Sequence, residues 1–508
     1  MSSSPKTTAS AWKRWSIRWG VHPDARKRPA ADRPIEILPL PKHIYLPLQQ
    51  HVGAPANPVV VIGQQVRKGE LIAQSQGNIS APVHASTSGK VTAIVDVPHP
   101  HPSGLASLAI HIETDGKDEW IETQGCDDPF ALAPEAVAKR VAAAGVVGLG
   151  GATFPSAVKL ALGRRVAVST LIVNGGECEP YLSCDDRLMR EYAEGVVDGM
   201  RIIRHAIGAN EILCGIEDNK PEAIATMRAA AAGFPEVKIV PVPSRYPMGS
   251  DKQLINTLTG KEVPADGRAA DVGVLVHNVG TAYAVHSALR HGRPLVTRVV
   301  TVNGGAVAEP RNLLVPIGTM VSELFDFCGG FTETPARIVM GGPMMGTPLP
   351  GTQVPLIKGT SGVLALTRAE VERDKPAPCI RCGNCVTACP QNLLPMEMAA
   401  FIRAGELEGA VDWGLKDCIH CGSCAYVCPA HIPLVQYFDF AKGDLAARER
   451  AKLKQEATRQ LTEQRAVRLE REAIEKAEAA ARRKAERAKA KAAAAAAAQA
   501  AQASEVEA

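Results

Sequence analysis

At 508 residues the chain is longer than one hydrophobic core can organise, so three or more domains are expected. Its 46% hydrophobic and 22% charged residues are those of a folded globular protein, and a net charge of only +4 with no nucleic-acid-binding motif argues against a nucleic-acid partner. The sequence shows neither a run of eighteen apolar residues nor a secretory leader. A chain that stays on the cytoplasmic side and does not span a bilayer alone is therefore expected, and its thirteen cysteines, odd in number and clustered, do not read as a disulfide framework.

Residues 1–34 are polar, basic and punctuated by proline, and read as a flexible arm. Trp12, Trp15 and Trp19 stand at i, i+3 and i+7 with Lys13, Arg14 and Arg18 between them, so a helix there carries an indole stripe with cationic flanks. Packing on the protein's own body and docking on a membrane surface or on a membrane-embedded partner are both open. From 35 to 120, short apolar runs (VVVIG, GELIAQ, SAPVHA, SGKVTAIVDV, LASLAIHIE) broken by Gly, Pro and Asn predict a small all-β unit. The stretch GQQVRKGELIAQSQGNISAPVHASTSGKV resembles the lipoyl/biotinyl barrel-sandwich pattern. That family's modified lysine sits at a hairpin tip, but no lysine lies between Lys68 and Lys90, so an unmodified relative is expected.

Residues 130–290 alternate helical stretches with short β-rich runs (TLIVNG, EILCGI, VKIVPV, VGVLVHN), the pattern of βαβ units on a mostly parallel sheet. Two loops here offer ligand chemistry. GVVGLGGATFPSAVKL places Gly148, Gly150 and Gly151 just before a helix, where backbone N–H groups can cradle a phosphate; tight-turn packing explains the glycines equally well. IVNGGECEPYLSCDDRLM follows a strand and presents Asn174, Glu177 and Glu179, suited to ribose hydroxyls or a nicotinamide amide, or else simply a solvated acidic loop. Residues 297–350 return to short strands and glycine turns.

The region 365–445 holds CIRCGNCVTACP (379–390) and CIHCGSCAYVCP (418–429), two copies of CxxCxxCxxxCP. Four thiolates at these spacings wrap backbone around a cubane, and in two-cluster ferredoxins the fourth cysteine of each run ligates the other cluster. Cys379, Cys382, Cys385 and Cys428 are thus expected to hold one [4Fe–4S] cluster, and Cys418, Cys421, Cys424 and Cys389 the second. Zinc is the alternative, but four ligands per ion leave the tight third cysteine unexplained. MEMAAFIRAG and ELEGAVDWGL between the copies are apolar at helical spacing, so the linker should be helical. His420 is expected near the surface rather than as a ligand. Cys126, Cys178, Cys184, Cys214 and Cys328 lack ligand spacing and read as buried free thiols. Residues 446–508, rich in Ala, Lys and Glu, read as a solvated helix or disordered tail.

GLGGATFPSAVKL and NGGECEPYLSCDDR resemble the glycine-loop and acidic-loop signatures of the NADH- and FMN-binding subunit of respiratory complex I. Carried over, the resemblance implies Gly148, Gly150, Gly151 and Lys159 at the flavin phosphate, Phe154 near the nicotinamide, and Asn174 and Glu179 at flavin or nucleotide. RYPMGSDKQLINTLTG resembles the family's YxxGEETAL, keeping Tyr246, Gly249 and Asp251, and HNVGTAYA resembles NNVETLA, keeping Asn278 and Thr281. Leu149, Gly176, Ser250 and His277 depart from Arg, Asp, Glu and Asn, each removing a polar contact. Residues 297–350 resemble the β-grasp (SLBB-like) domain of that family.

The expected architecture is a multidomain α/β plus β chain: a barrel-sandwich N-terminal domain, a Rossmann-like FMN-type α/β domain, a β-grasp domain, a helical two-cluster ferredoxin domain and a helical or disordered tail. That order, over about residues 35–440, resembles the C subunit of the bacterial Rnf (Rsx) ion-translocating electron-transport complexes. The resemblance implies a translocase component peripheral to the cytoplasmic face of the inner membrane, partnered by the other subunits and by ferredoxin. It would exchange electrons between NADH and ferredoxin through FMN and two [4Fe–4S] clusters, with no side-chain acid or base required. A cobalamin reductase of bacterial microcompartments has a similar layout, and a non-catalytic iron–sulfur carrier or a zinc-bearing binding protein are further alternatives.

Overall fold

The computed structural model describes residues 19–77, 79–101, 103–371 and 375–506. They fall into two compact units that divide after Phe438.

In the first unit, strands Val237–Val242, Glu211–Glu217, Thr170–Gly175 and Val274–Asn278 form, in that order, a wholly parallel sheet. The crossover helices cover both faces, so these strands are apolar on both sides, and Leu171, Ile172 and Val173 are fully buried. One face packs Ala193–Ile207 and Val279–Arg290; the other packs Leu254, Ile255 and Leu258 of Asp251–Thr259. Gly199 lets the first two helices touch, since a Cβ there would lie 1.8 Å from the Ala282 carbonyl oxygen.

Strands His43–Pro47, Ala106–Thr114, Gly89–Pro98 and Gln65–Val66 form an antiparallel sheet, and Asn57–Pro58, Leu71–Gln74 and Val83–His84 a second one. Ile44, Ile72, Ile110 and Ile112 are fully buried in the core. A six-stranded mixed sheet follows, in the order Glu36–Ile37, Arg311–Pro316, Thr297–Asn303, Gly362–Leu366, Arg337–Met340, Thr347–Pro348. It reaches beyond the expected 297–350 at both ends. Glu36–Ile37 pairs parallel with Arg311–Pro316, and Gly362–Leu366 inserts in the middle, pairings far too non-local for a sequence pattern to display. Buried Lys358, just before the strand Gly362–Leu366, reaches two other regions of the first unit, with Nζ donating to the carbonyls of Pro82 and Gly145, each at 2.7 Å.

The stretch 19–34, expected as part of a flexible arm, is instead tied down as a strap. Gly20 N–H donates to Ala388, Val21 bridges Tyr246, and Tyr181 N–H donates to the Ala25 carbonyl. The Lys27 ammonium donates to the carbonyls of Glu177 (2.8 Å), Glu179 (3.0 Å) and Leu182. Trp12 and Trp15 of the indole stripe lie outside the described residues; Trp19 packs on the α/β core.

The cysteine region is built on short helices, Asn384–Ala388 and Ser423–Tyr426, with Pro395–Ala404 and Leu407–Asp412 in the linker. A continuous helix runs Leu434–Val506. In the second unit it is largely exposed and carries pairs such as Arg448 with Asp444 at 2.8 Å and Arg468 with Glu472. Among the described residues no helix is long and apolar enough to cross a membrane.

Candidate redox site: a strand-end crevice beside two thiol-lined hollows

Parallel sheets expose their ligand-binding ends where the strands stop. Here Asn174 and Asn278 are partners in register at the ends of adjacent strands. Asn174 donates Nδ2–H to the Gly249 carbonyl (2.8 Å) and accepts Gly176 N–H (2.9 Å), drawing the segment around Gly249 and Asp251 towards the strand end. Asn278 caps the helix Val279–Arg290 by accepting Gly280 N–H, and donates Nδ2–H to Asp185 at 2.6 Å. The glycine loop closes through Gly148 N–H on the Phe154 carbonyl (2.8 Å) and is pinned to that helix by Leu149 N–H on Thr281 Oγ1 (2.9 Å). The loops holding Gly148, Gly150, Gly151, Phe154, Asn174, Gly249, Asp251, Asn278 and Thr281 are therefore drawn together at the strand ends, the position where an open α/β sheet forms its ligand crevice. Lys159, on the helix Ser156–Arg165 that follows the loop, donates to the Val276 carbonyl, and its charge acts on both Asp251 and His277.

Other expected ligands turn inward. Glu177 is buried and accepts from Cys184 Sγ and from the Asp185 and Asp186 amides, with Lys27 Nζ 4.0 Å away. Glu179 accepts from the Met344 and Met345 amides, so it holds the turn after Arg337–Met340. Tyr246 is 2% exposed and donates its hydroxyl to the Cys421 carbonyl at 2.6 Å. Each of these three already meets a partner within the protein.

FMN fits the crevice on two observations. His277 is buried, its imidazole pushed down to about 3 by that burial with Lys159 adding to it, and its Nε2 has no hydrogen-bond partner. Gly151 has φ +108° and open space where a Cβ would stand, leaving the loop free to meet a phosphate at van der Waals distance. Leu149, at the position of the family's Arg, sends its side chain into the core instead, and its carbonyl is held by the buried Arg298 at 2.7 Å.

The eight repeat cysteines gather around two hollows. Cys379, Cys382, Cys385 and Cys428 line one, with Met396, Ala399 and Ile432. Cys389, Cys418, Cys421 and Cys424 line the other, with Leu393, Met398 and Phe438. Each hollow thus takes its fourth thiol from the other copy of the motif. Apolar walls around four soft sulfur donors suit an iron–sulfur cubane. Burial raises the Cys385, Cys389 and Cys424 thiols, while backbone amides oppose it, those of Leu393, Gln391 and Asn392 at Cys389 among them. The second hollow adjoins the crevice: beside the Tyr246 bond, Gln253 Nε2–H donates to the Pro390 carbonyl (3.0 Å) and Lys252 pairs with Asp417. His420 is half-buried, Cys184, Cys214 and Cys328 are buried, and Cys126 and Cys178 are half-buried. Sequence reasoning missed Lys27, Tyr246 as a bridge to Cys421, and Arg298. No local pattern marks them, since each acts across more than a hundred residues of chain.

Residues 15–117 match the family described as RnfC barrel sandwich hybrid domain, 141–287 the Nuo51 FMN-binding domain, 299–348 the SLBB domain and 378–432 the 4Fe-4S dicluster domain. The C subunit of the ion-translocating oxidoreductase complex of Rhodobacter capsulatus is 53% identical over 86% of this chain and 85% of its own. The C subunit of the proton-translocating ferredoxin:NAD(+) oxidoreductase complex of Clostridium ljungdahlii is 48% identical over 86% of this chain and 96% of its own. The corresponding protein of Pseudomonas aeruginosa is 48% identical over 89% of this chain and 58% of its own. With the four domains in this order and identities this high over most of the chain, the protein belongs to the family of C subunits of ion-translocating oxidoreductase complexes.

Proposed function

We propose that the chain is the electron-input subunit of a membrane-bound complex that couples electron transfer between NADH and ferredoxin to ion translocation, bound peripherally on the cytoplasmic side of the inner membrane. The observation that carries this reading is the junction of crevice and hollow, where Tyr246 spans from the strand-end crevice to Cys421 with its hydroxyl 2.6 Å from that residue's carbonyl. A flavin supplies conversion of a two-electron hydride donor into single-electron steps, and cubane clusters supply one-electron storage.

The chain's own residues divide the remaining work. Gly148, Gly150, Gly151 and Lys159 would hold the phosphate, with the helix Val279–Arg290 presenting its N-terminus beside them. Asn174, Asn278 and Thr281 fix the loops that set the width of the crevice. His277 Nε2 is free to meet a polar edge, and Asp251 at the rim suits a ribose or amide. Phe154, on the same loop as the glycines, would stack on a planar ring. Val21, Tyr246, Ala388, Cys178 and Met344 pack into an apolar wall that keeps water from between crevice and second hollow. Cys389, Cys418, Cys421 and Cys424 would hold the nearer cluster, and Cys379, Cys382, Cys385 and Cys428 the farther one.

The test is anaerobic titration of the cofactor-loaded chain with NADH, followed by its absorption spectrum. Loss of both flavin and iron–sulfur absorbance is expected. Failure of the chain to retain flavin while it retains iron and sulfide would reduce the protein to a relay and refute the reading.

A further inference from the structure

The two cysteine motifs share the same left-handed backbone positions. Arg381 and His420 take φ values of 53° and 55°, Gly383 and Gly422 both 78°, and Asn392 and His431 54° and 50°. Equal backbones predict equal surfaces, yet their surroundings differ. In the second copy Ile419 packs against Tyr246 and Cys421, and Cys421, Ser423 and Cys424 are buried. In the first copy the matching Ile380 is 69% exposed, and Cys382 and Asn384 are exposed as well.

One of two equivalent faces thus carries a redox domain of this chain, and among the described residues of the first unit nothing packs on the other. Ile380 gives it an apolar centre, and the exposed Arg381 and Arg403 line the same hollow, with the half-buried Glu397 as its carboxylate. An apolar centre with a cationic rim is the composition of a transient charge-steered interface.

Resting on the electron-input reading above, we propose that the face around Ile380 is the docking surface for a separate redox protein domain with an acidic rim, occupying the place that the α/β domain takes on the second copy. Electrons arriving through the buried hollow then leave through the exposed one.

The experiment places a photo-crosslinking amino acid at Ile380 in the purified membrane complex and maps the adduct. Crosslinking to an acidic segment of another, cofactor-bearing protein of the complex is expected. An adduct with residues 1–18 or another segment of this same chain, an adduct with lipid, or no adduct overturns the proposal. In a second arm, Arg403→Glu protein, compared with wild type at equal measured iron content, should deliver electrons onward roughly tenfold more slowly and with a flatter salt dependence. Delivery at the wild-type rate with the wild-type salt slope would also overturn it. If the isolated chain is not reduced by NADH at all, the electron-input reading itself has failed; if it is reduced normally and no partner crosslinks, only the docking proposal has.

Discussion

Replacing Lys27 with methionine removes a donor from three carbonyls of the acidic loop, those of Glu179 and Leu182 and that of Glu177, which keeps only a longer bond from Lys220 at 3.5 Å. A buried acceptor left without a partner costs about 1–3 kcal/mol. The Lys27 side chain is 13% exposed, so water can reach part of the gap and only one or two of the three should stay unpaired. That gives a loss of about 2–4 kcal/mol, to which the buried Glu177 carboxylate adds by losing a cation 4.0 Å away. Because the chain has several domains, a single global unfolding energy is ill defined and a local measurement is better. Amide hydrogen exchange across residues 177–186 reads the loop directly. At 1.36 kcal/mol per decade, the exchange should quicken roughly 30- to 1,000-fold in Lys27→Met, and Lys27→Arg should recover part of the protection. Unchanged exchange in Lys27→Met would show that the strap only lies on the loop and does not hold it.

Cys428→Ser should abolish the cluster at Cys379, Cys382 and Cys385, although it alters the other copy of the motif, leaving roughly half the iron and one of two EPR signals; loss of the signal belonging to Cys418, Cys421 and Cys424 would disprove crossed ligation. Gly199→Ala sets a Cβ against the Ala282 backbone, so overpacking of about 1–3 kcal/mol should outweigh the helix propensity gained, and Tm should fall. A higher Tm would refute this close approach. Burial holds the Lys358 ammonium down to about 7 in the folded chain, against about 10.4 when unfolded. The unfolded state then binds more protons between those two values, so stability should rise as pH increases from 7 to 10, by up to about 4 kcal/mol. Thermal melts across that range should show the rise in the wild type, and Lys358→Met should flatten it.

The features legible in the sequence are those whose chemistry is local. Cysteine spacing within twelve residues dictates the wrapping of each hollow, and the glycine loop before the helix Ser156–Arg165 stands where its pattern puts it. The parallel strands announce themselves by apolar runs because both of their faces are buried. What escapes is long-range pairing. The stretch 19–34 looks mobile because it is short of apolar residues, yet it is fixed by hydrogen bonds to segments about 150 and 370 residues away. Nor does the sequence show that the Cys184 thiol and the amides of Asp185 and Met344 hydrogen-bond to the carboxylates of Glu177 and Glu179. Two nearly identical motifs likewise hide the fact that one is buried against Tyr246 and the other is open.

Cys428→Ser also isolates the step on which the account rests, because only the hollow next to Tyr246 would keep its full set of thiols. Rapid-freeze EPR of this variant, loaded anaerobically and mixed with NADH, should show the remaining cluster reduced as fast as in the wild type. A cluster that stays oxidised under NADH but accepts electrons from dithionite would contradict transfer from the strand-end crevice into the hollow of Cys421.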